Sequence, residues 1–407
     1  MRIGNGAVAV CAAVCCLHTG VAGAQSRMLS LADVLARARE QAPQIVSARL
    51  ALEEARGRLL GASLRFQANP EIDAGIGNRN GPDTRFTDFE VGLSQGFEPG
   101  ARRSARIAGA NAAIAQGSAN IDETTRIVLR AAAAAYYRVV HANERIRVLG
   151  ATQELAAGVS ATADRRFKAG DIAVLDVNIA RASLARIRAE REGAEAAKAL
   201  ALGDLRQLLR LDEDVDVEGS LTRPSEVDLN AVLQATLQRP DLRALEAGIQ
   251  EAEAELRVGQ SYSKPQYGLG VRYSREEGDQ IVLGGMTITL PMFSKGQEQR
   301  AVGAARASRL RAELDASRTR IQIEVRSAFQ AFNRRLAAVR VLETEAIPGL
   351  DENEALTSRS FEVGQLGLPD LLLIRREILD TRSQYLDALL EAALARVDLD
   401  ASAGVLR

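Results

Sequence analysis

The chain has 407 residues and a formal net charge of -1, so it has no overall positive field to attract nucleic acid. Aromatic residues make up 4% of it and Trp is absent, which leaves little material for a large globular core. Ala, Leu, Arg and Glu are abundant instead. This composition predicts long helices that pack through small residues, and no nucleic-acid partner.

Residues 1–24 are typical of a cleaved signal peptide. Arg2 precedes an apolar run over residues 7–17 that is too short to span a bilayer. The sequence Ala-Gly-Ala at 22–24 fits the small-residue cleavage pattern. We therefore expect an exported chain that begins near Gln25; the alternative is a buried helix at the N-terminus of an intracellular protein.

Cleavage would remove every cysteine and one of the two histidines. The residues removed are Cys11, Cys15, Cys16 and His18. Lipidation of one of these cysteines is an alternative, although none follows the Leu-small-small pattern of a lipidated cysteine. Without them a Cys/His zinc site or a Cys nucleophile is excluded, and the remaining His141 is expected to be an ordinary residue of an alanine-rich helix. We expect no cofactor, no metal site and no enzyme.

Residues 29–66 have the pattern of helices. Ser30 can cap a helix that begins at Leu31. Pro43 interrupts it, and apolar residues then recur at spacings of three and four. Such a narrow apolar stripe packs against another helix.

At Asn69-Pro70 the apolar period changes to two, which predicts strands. A first hairpin is expected over about 70–79 and 86–96, and a second over about 266–275 and 281–291. Each strand has one apolar and one polar face, and about 9–11 residues match the length of a tilted strand that crosses a bilayer. An amphipathic hairpin on a soluble core would show the same pattern.

If these hairpins cross a membrane, several chains must pool them. Four strands cannot close a barrel, and an open edge in lipid would leave backbone groups unpaired. The polar face would then line a lumen, and a solvated sheet face is the alternative. The candidate lumen residues are Glu71, Asp73, Asp88, Glu90 and Arg272.

Each hairpin is followed by very long helical patterns, predicted over 100–168 and 172–210 in the first half and over 296–362 and 369–403 in the second. The proline-free stretch 101–149 alone gives about 70 Å of helix. Helices of this length imply a coiled coil or a helical barrel.

The halves are an internal duplication. Phe167, Gly170 and Asp176 recur as Phe361, Gly364 and Asp370, each 194 residues later. Both halves have the order helix, hairpin, long helix, turn, long helix. We expect a first repeat at 25–211, a linker at 212–227 and a second repeat at 228–407.

This pattern resembles the TolC-like outer-membrane factor family, the exit ducts of tripartite efflux pumps and type I secretion systems. Three motifs look most like its cobalt-zinc-cadmium branch: Asn69-Pro70-Glu71, the sequence QGFEPGARR at 95–103, and Leu290-Pro291-Met292-Phe293. That branch usually has other residues at Gly96 and Pro99.

The resemblance implies a mainly helical fold with some β structure. Three chains would form a homotrimer in the outer membrane, with a 12-stranded transmembrane β-barrel continued by a long periplasmic α-helical barrel. The partners implied are outer-membrane lipid, a periplasmic membrane-fusion (adaptor) protein and an inner-membrane RND pump. The adaptor would dock at the periplasmic tip, at the turns of Gly170 and Gly364.

The resemblance also implies that Asp176 and Asp370 are tip acids that line the entrance and can bind cations. A further acid found one turn later in some members is Leu373 here. The residues themselves support a turn, because glycine adopts a positive φ at a helix end and an acid favours the next helix start. The acids could be helix-start residues only, and Phe167 and Phe361 are expected to pack under the turns.

We therefore expect a passive conduit for heavy-metal cations, with drugs and then secreted polypeptides as the alternative substrates. A periplasmic coiled-coil adaptor is the alternative class of protein. Adaptors carry one helical hairpin between compact β domains, whereas the hairpins are duplicated here.

Overall fold

The computed structural model describes residues 27–406, and the predicted signal peptide lies outside this range. The helices are α1 (Leu31–Gln41), α2 (Pro43–Ser63), α3 (Gly100–Lys168), α4 (Val174–Leu209), α5 (Leu229–Thr236), α6 (Pro240–Ser261), α7 (Gln297–Val341), α8 (Ile347–Glu362) and α9 (Leu368–Ala403). The strands are β1 (Arg27–Leu29), β2 (Glu71–Asn80), β3 (Arg85–Phe97), β4 (Val215–Val217), β5 (Gln266–Glu276) and β6 (Asp279–Thr289).

Helix α1 begins at the residue that the sequence indicated. The hydroxyl of Ser30 accepts a hydrogen bond from the amide of Asp33 at 3.2 Å, and the Asp33 carboxylate accepts one from the amide of Ser30 at 3.1 Å. This reciprocal capping box satisfies two amides that the first helical turn leaves free. Pro43 then starts α2, where its fixed φ suits the first helical position.

The four long strands form one antiparallel sheet in the order β2-β3-β5-β6. The two hairpins are joined through β3 and β5, in a register that pairs Val91 with Tyr273 and Leu93 with Val271. The central strand pair of the sheet therefore joins the two repeats, and this pair is called the seam. Strands β2 and β6 are the edges of the sheet.

The helices next to the sheet follow the same order. Helix α3 packs on α2 and α6, and α6 packs on α7, which gives a layer in the order α2-α3-α6-α7. The edges of the helical layer thus continue the edges of the sheet. Farther along, α3 packs on α4 and α9, and α9 packs on α7 and α8.

The long helices of the two repeats differ in one respect. Helix α3 runs without interruption for 69 residues. The second repeat stays helical from Gln297 to Glu362, but Leu342–Ala346 form a π-helical segment in which the amide of Ile347 donates to the carbonyl of Leu342. The helical span expected over 296–362 is thus interrupted near Pro348, the residue at which the sequence predicts that the long helix ends and a shorter one follows. Pro348 lies two residues after Ala346, and it has no amide with which to continue the α-helical pattern.

The main core lies at mid-length, where α1, α3, α4 and α9 meet the short parallel pair β1-β4. It is built from Val, Leu and Ala, with Tyr136 donating a hydrogen bond to the carbonyl of Glu218 at 2.6 Å. A second core surrounds the buried Phe332 of α7. Small side chains let these helices approach closely, as the composition predicted.

Among residues 27–406, no helix is both long enough and apolar enough to cross a membrane.

Candidate functional site

One face of the four-stranded sheet is apolar and exposed. Ile72 and Ile76 of β2 are 74% and 81% exposed, and Val282 and Met286 of β6 are 69% and 63% exposed. Strand pairing brings these side chains together with Leu93 and Val271 on the same face. Isolated exposed apolar residues are ordinary, but a continuous apolar face of this extent marks a surface that is covered by something other than water.

The opposite face carries a charged cluster at the seam between the repeats. Arg272 of β5 lies 3.1 Å from a carboxylate oxygen of Glu90 on β3 and 3.5 Å from one of Asp73 on β2. Gly92 stands between them, and a Cβ atom at that position would collide with the carboxylate of Asp73. The structure thus brings three of the five predicted lumen residues into one ion-paired group across three strands.

A second charged cluster lies at the turn end of the same face. Arg79 Nε lies 2.9 Å from Asp88 Oδ2, and its Nη1 lies 2.7 Å from Glu277 Oε1, with Glu276 at 3.4 Å. Asp88 was predicted from the sequence, but the other three residues were missed. Arg79 lies an even number of residues after Asp73 in β2, so the alternation of the strand indicates that both side chains are on the same face. Glu276 and Glu277 contact the first hairpin only because β3 pairs with β5, which the sequence does not indicate.

Acidic groups outnumber basic ones on this polar face. The strand residues that share it are acidic at six positions and basic at two. They are Glu71, Asp73, Asp88, Glu90, Glu276 and Asp279, against Arg79 and Arg272. The fifth predicted residue, Glu71, is exposed at the end of β2 nearest the helices. An acidic face attracts cations and repels anions.

The two glycine turns at the far ends of the helices have the same geometry. Gly170 has φ +82° and Gly364 has φ +76°. After α3, the amide of Asp171 donates to the carbonyl of Arg166 at 2.9 Å; after α8, the amide of Gln365 donates to the carbonyl of Ser360 at 2.8 Å. Both are Schellman helix ends, which place glycine in the left-handed conformation.

The two tip acids differ in their surroundings. The carboxylate of Asp176 reaches back to the start of α4 and accepts a hydrogen bond from the amide of Ala173 at 3.3 Å. Asp370 is exposed in the first turn of α9. Asp176 therefore caps the N-terminus of its own helix, while the side chain of Asp370 is exposed to solvent.

The two tips pack together. Val177 and Ala180 of α4 share a small core with Leu368 and Leu371 of α9, and Phe361 packs against it. The expectation that both phenylalanines pack under their turns is therefore wrong for Phe167, which is 44% exposed. Its helix face has no covering element at this end of the described chain, whereas Phe361 is turned toward the inter-repeat core.

His141, the one histidine in the described part of the chain, joins the repeats. Its Nε2 lies 2.8 Å from Asp387 Oδ1 on α9, and Arg145 Nη1 lies 3.3 Å from the same oxygen. The hydrogen bond with His141 and the charge of Arg145 hold the pKa of Asp387 below its usual range, against a smaller effect of burial. His141 is therefore a partly buried residue of α3, as expected, and it also makes a contact with α9 that the sequence did not predict.

This geometry is that of a known class of proteins. The model of the outer membrane efflux protein family matches residues 34–209 and 231–405, so each repeat of this chain is matched once. The chain belongs to this family, whose members are channels of tripartite efflux systems and not enzymes.

Individual relatives agree with this assignment. The cobalt-zinc-cadmium resistance protein CzcC of Cupriavidus metallidurans is 24% identical over 345 residues, which cover 83% of this chain and 81% of CzcC. The CmeC outer membrane channel of Campylobacter jejuni superposes with a TM-score of 0.75 at 16% identity, covering 92% of this chain and 85% of CmeC. The channel CusC gives a TM-score of 0.76 at 16% identity, covering 93% of both chains. The mainly helical, two-repeat fold expected from the sequence is confirmed.

Proposed function

We propose that this protein is the outer-membrane exit duct of a tripartite efflux system that exports heavy-metal cations. The observation that carries the cation assignment is the acidic polar face of the sheet, with Arg272 and Arg79 as its basic strand residues. The name of the relative CzcC, a cobalt-zinc-cadmium resistance protein, points to the same substrates.

Membrane insertion follows from the two faces of the sheet. The apolar face meets lipid and the polar face lines the lumen, since the reverse would bury Asp73, Glu90 and Arg272 in hydrocarbon. The edges β2 and β6 cannot stay unpaired in lipid. Family channels are trimeric, and three copies of this sheet close into a 12-stranded barrel that the long helices extend through the periplasm.

The tips are the docking end of the duct. In this assembly the turns of Gly170 and Gly364 lie farthest from the membrane, where a periplasmic adaptor and its RND pump deliver substrate. The exposed Phe167 and the exposed Asp370 belong to this surface. The signal peptide at residues 1–24 directs export of the chain across the inner membrane.

A strain that lacks the gene tests the substrate. Challenged in parallel with Zn, Co, Cd, Cu and a drug panel, it should be hypersensitive to one or more of the metals, and a plasmid copy should restore resistance. Hypersensitivity to drugs alone would assign the channel to multidrug efflux. A normal response to both, together with loss of a secreted polypeptide, would assign it to type I secretion.

The tip acid gives a second test, in planar bilayers. We expect Asp370→Ala to conduct more in the resting state and to be blocked less by divalent cations, because an exposed carboxylate at the entrance is removed. Asp176→Ala is the matched variant, in which a helix cap is lost as well. Unchanged conductance and cation block in Asp370→Ala would leave these turns with a docking role only.

A further inference from the structure

The two edges of the sheet can be matched to one another through the internal duplication. Pro265 stands 195 residues after Pro70, and each proline directly precedes the first strand of its hairpin. The same shift carries the pair Glu71–Ser94 of the first hairpin onto the pair Gln266–Thr289 of the second. The two hairpins thus have identical internal registers.

The seam between the hairpins is therefore a template for the seam between chains. Inside the chain, β3 pairs with β5, for example Gly92 with Arg272 and Leu93 with Val271. Shifted by the same 195 residues, β3 becomes β6 and β5 becomes β2. The free edge β6 of one chain is then presented to the free edge β2 of the next.

We propose that β6 pairs antiparallel with β2 of a second copy of this chain in one register, with Thr287 opposite Gly77 and Ile288 opposite Ile76. This inference rests on the trimeric barrel of the proposed function and adds the partner and alignment of each edge. The seam runs from Gly284 opposite Asn80 to Leu290 opposite Ala74. It ends there because Pro291 has no amide to donate.

The side chains on both faces agree with this register. Ile288 and Leu290 meet Ile76 and Ala74 on the apolar face, which continues the exposed apolar surface around the barrel. A slip of one residue would turn every apolar side chain of one strand toward the polar face of its neighbour. Slips of two residues preserve the faces, so the experiment must discriminate against them.

The register also gives the lumen a threefold pattern of charge. At the seam within the chain, Arg272 lies between Glu90 and Asp73. The shift of 195 places Gly77, Gly285 and Gly268 at the corresponding positions. The ion-paired cluster of each chain therefore alternates around the barrel with a position that has three glycines in its place.

Cysteine cross-linking tests the register. A Cβ atom added at Gly77 or Gly285 would have nothing within 4 Å, so cysteines fit at both positions. Gly77→Cys is combined with Thr287→Cys, and Cys11, Cys15 and Cys16 do not interfere because they leave with the signal peptide. A disulfide within one chain is excluded, because the two edges are about 14 Å apart at the usual spacing of strands.

With copper phenanthroline as oxidant, the pair Gly77→Cys and Thr287→Cys should convert most of the protein to a covalent trimer on a denaturing gel without reductant. Directly opposite Cβ atoms lie about 4.5–5.5 Å apart, and diagonal ones about 7–8 Å apart. Gly77→Cys with Gly285→Cys, and Gly77→Cys with Thr289→Cys, are the slipped controls and should link several-fold less. Each single cysteine variant should give no trimer.

Other outcomes separate the register from the proposed function. Strong linking of a slipped pair and not of the expected one would overturn the register and leave the trimer standing. Linking of none of the three pairs, in a protein that light scattering in detergent shows to be trimeric, would overturn the pairing of β6 with β2. A monomeric parent chain would refute the proposed trimer itself.

Discussion

At the scale of single residues, one buried arginine depends on an ion pair that no sequence pattern indicated. Arg239 is 3% exposed, and it donates to both carboxylate oxygens of Asp241 at 3.1 and 2.8 Å. It also donates to the carbonyl of Ser402, so it joins the start of α6 to the end of α9. A buried arginine with fewer partners would be costly.

Removal of the acid should therefore destabilise the protein. We expect Asp241→Asn to lower the free energy of unfolding by about 3 kcal/mol, because it leaves a buried guanidinium without its main counterion. Thermal unfolding followed by circular dichroism in detergent measures this. The matched control is Asp122→Asn, whose partner Arg243 lies 2.9 Å away in an exposed pair, and which should cost less than about 1 kcal/mol.

The same pair predicts a pH dependence. Burial raises the pKa of Asp241, but the hydrogen bonds and charge of Arg239 outweigh it and hold the pKa below the usual range. A lowered folded pKa contributes stability that is present above the unfolded value of about 3.9 and is lost as the pH falls through the folded value. The stability difference between the parent and Asp241→Asn should thus shrink below about pH 4, and a constant difference would contradict this origin.

At the scale of elements, glycine decides how closely helices approach. A Cβ at Gly303 of α7 would lie 2.7 Å from the amide nitrogen of Leu256 on α6, closer than real Cβ atoms come to backbone. Gly259 of α6 has the same relation to Arg300 of α7, at 2.8 Å. The α6-α7 pair is thus packed backbone to backbone just below the sheet.

A side chain at this contact should push the two helices apart. We expect Gly303→Val to lower the free energy of unfolding by about 1–3 kcal/mol, the usual cost of overpacking. Thermal unfolding in detergent provides the comparison. Gly193→Val is the control, because Gly193 of α4 has nothing within 4 Å of its Cβ position; equal effects of the two changes would argue against a close helix contact.

Also at this scale, the period of apolar residues in the sequence predicts some elements of the fold and misses others. The alternation of apolar residues located all four long strands, and the proline-free runs located the long helices. Pro348 marked the end of the second long helix, but nothing in the sequence showed that Leu342–Ala346 are π-helical. One extra residue in a helical turn changes hydrogen bonding and leaves the residue types unchanged, so composition and period do not reveal it.

At the scale of the whole molecule, the charge of the polar face should set ion selectivity. We expect Glu90→Gln to reduce the preference for cations in planar bilayers, measured as the reversal potential in a KCl gradient, because each of three chains loses one lumen carboxylate. Arg272→Gln is the control that removes a positive charge from the same face, and it should increase the preference for cations. Equal reversal potentials in the parent and both variants would show that the barrel does not determine selectivity.

The sequence alone determined the duplicated architecture, the long helices, the amphipathic strands and the glycine turns, because each depends on local period or on residues with restricted φ. It also supplied the residues that tie the chain to its family. Only the tertiary structure decided that β3 pairs with β5, that Arg272 joins Glu90 to Asp73, that Phe167 is exposed, and that Arg239 is buried against Asp241. These are contacts between residues far apart in the chain, which local periodicity does not encode and which the packing of whole elements selects.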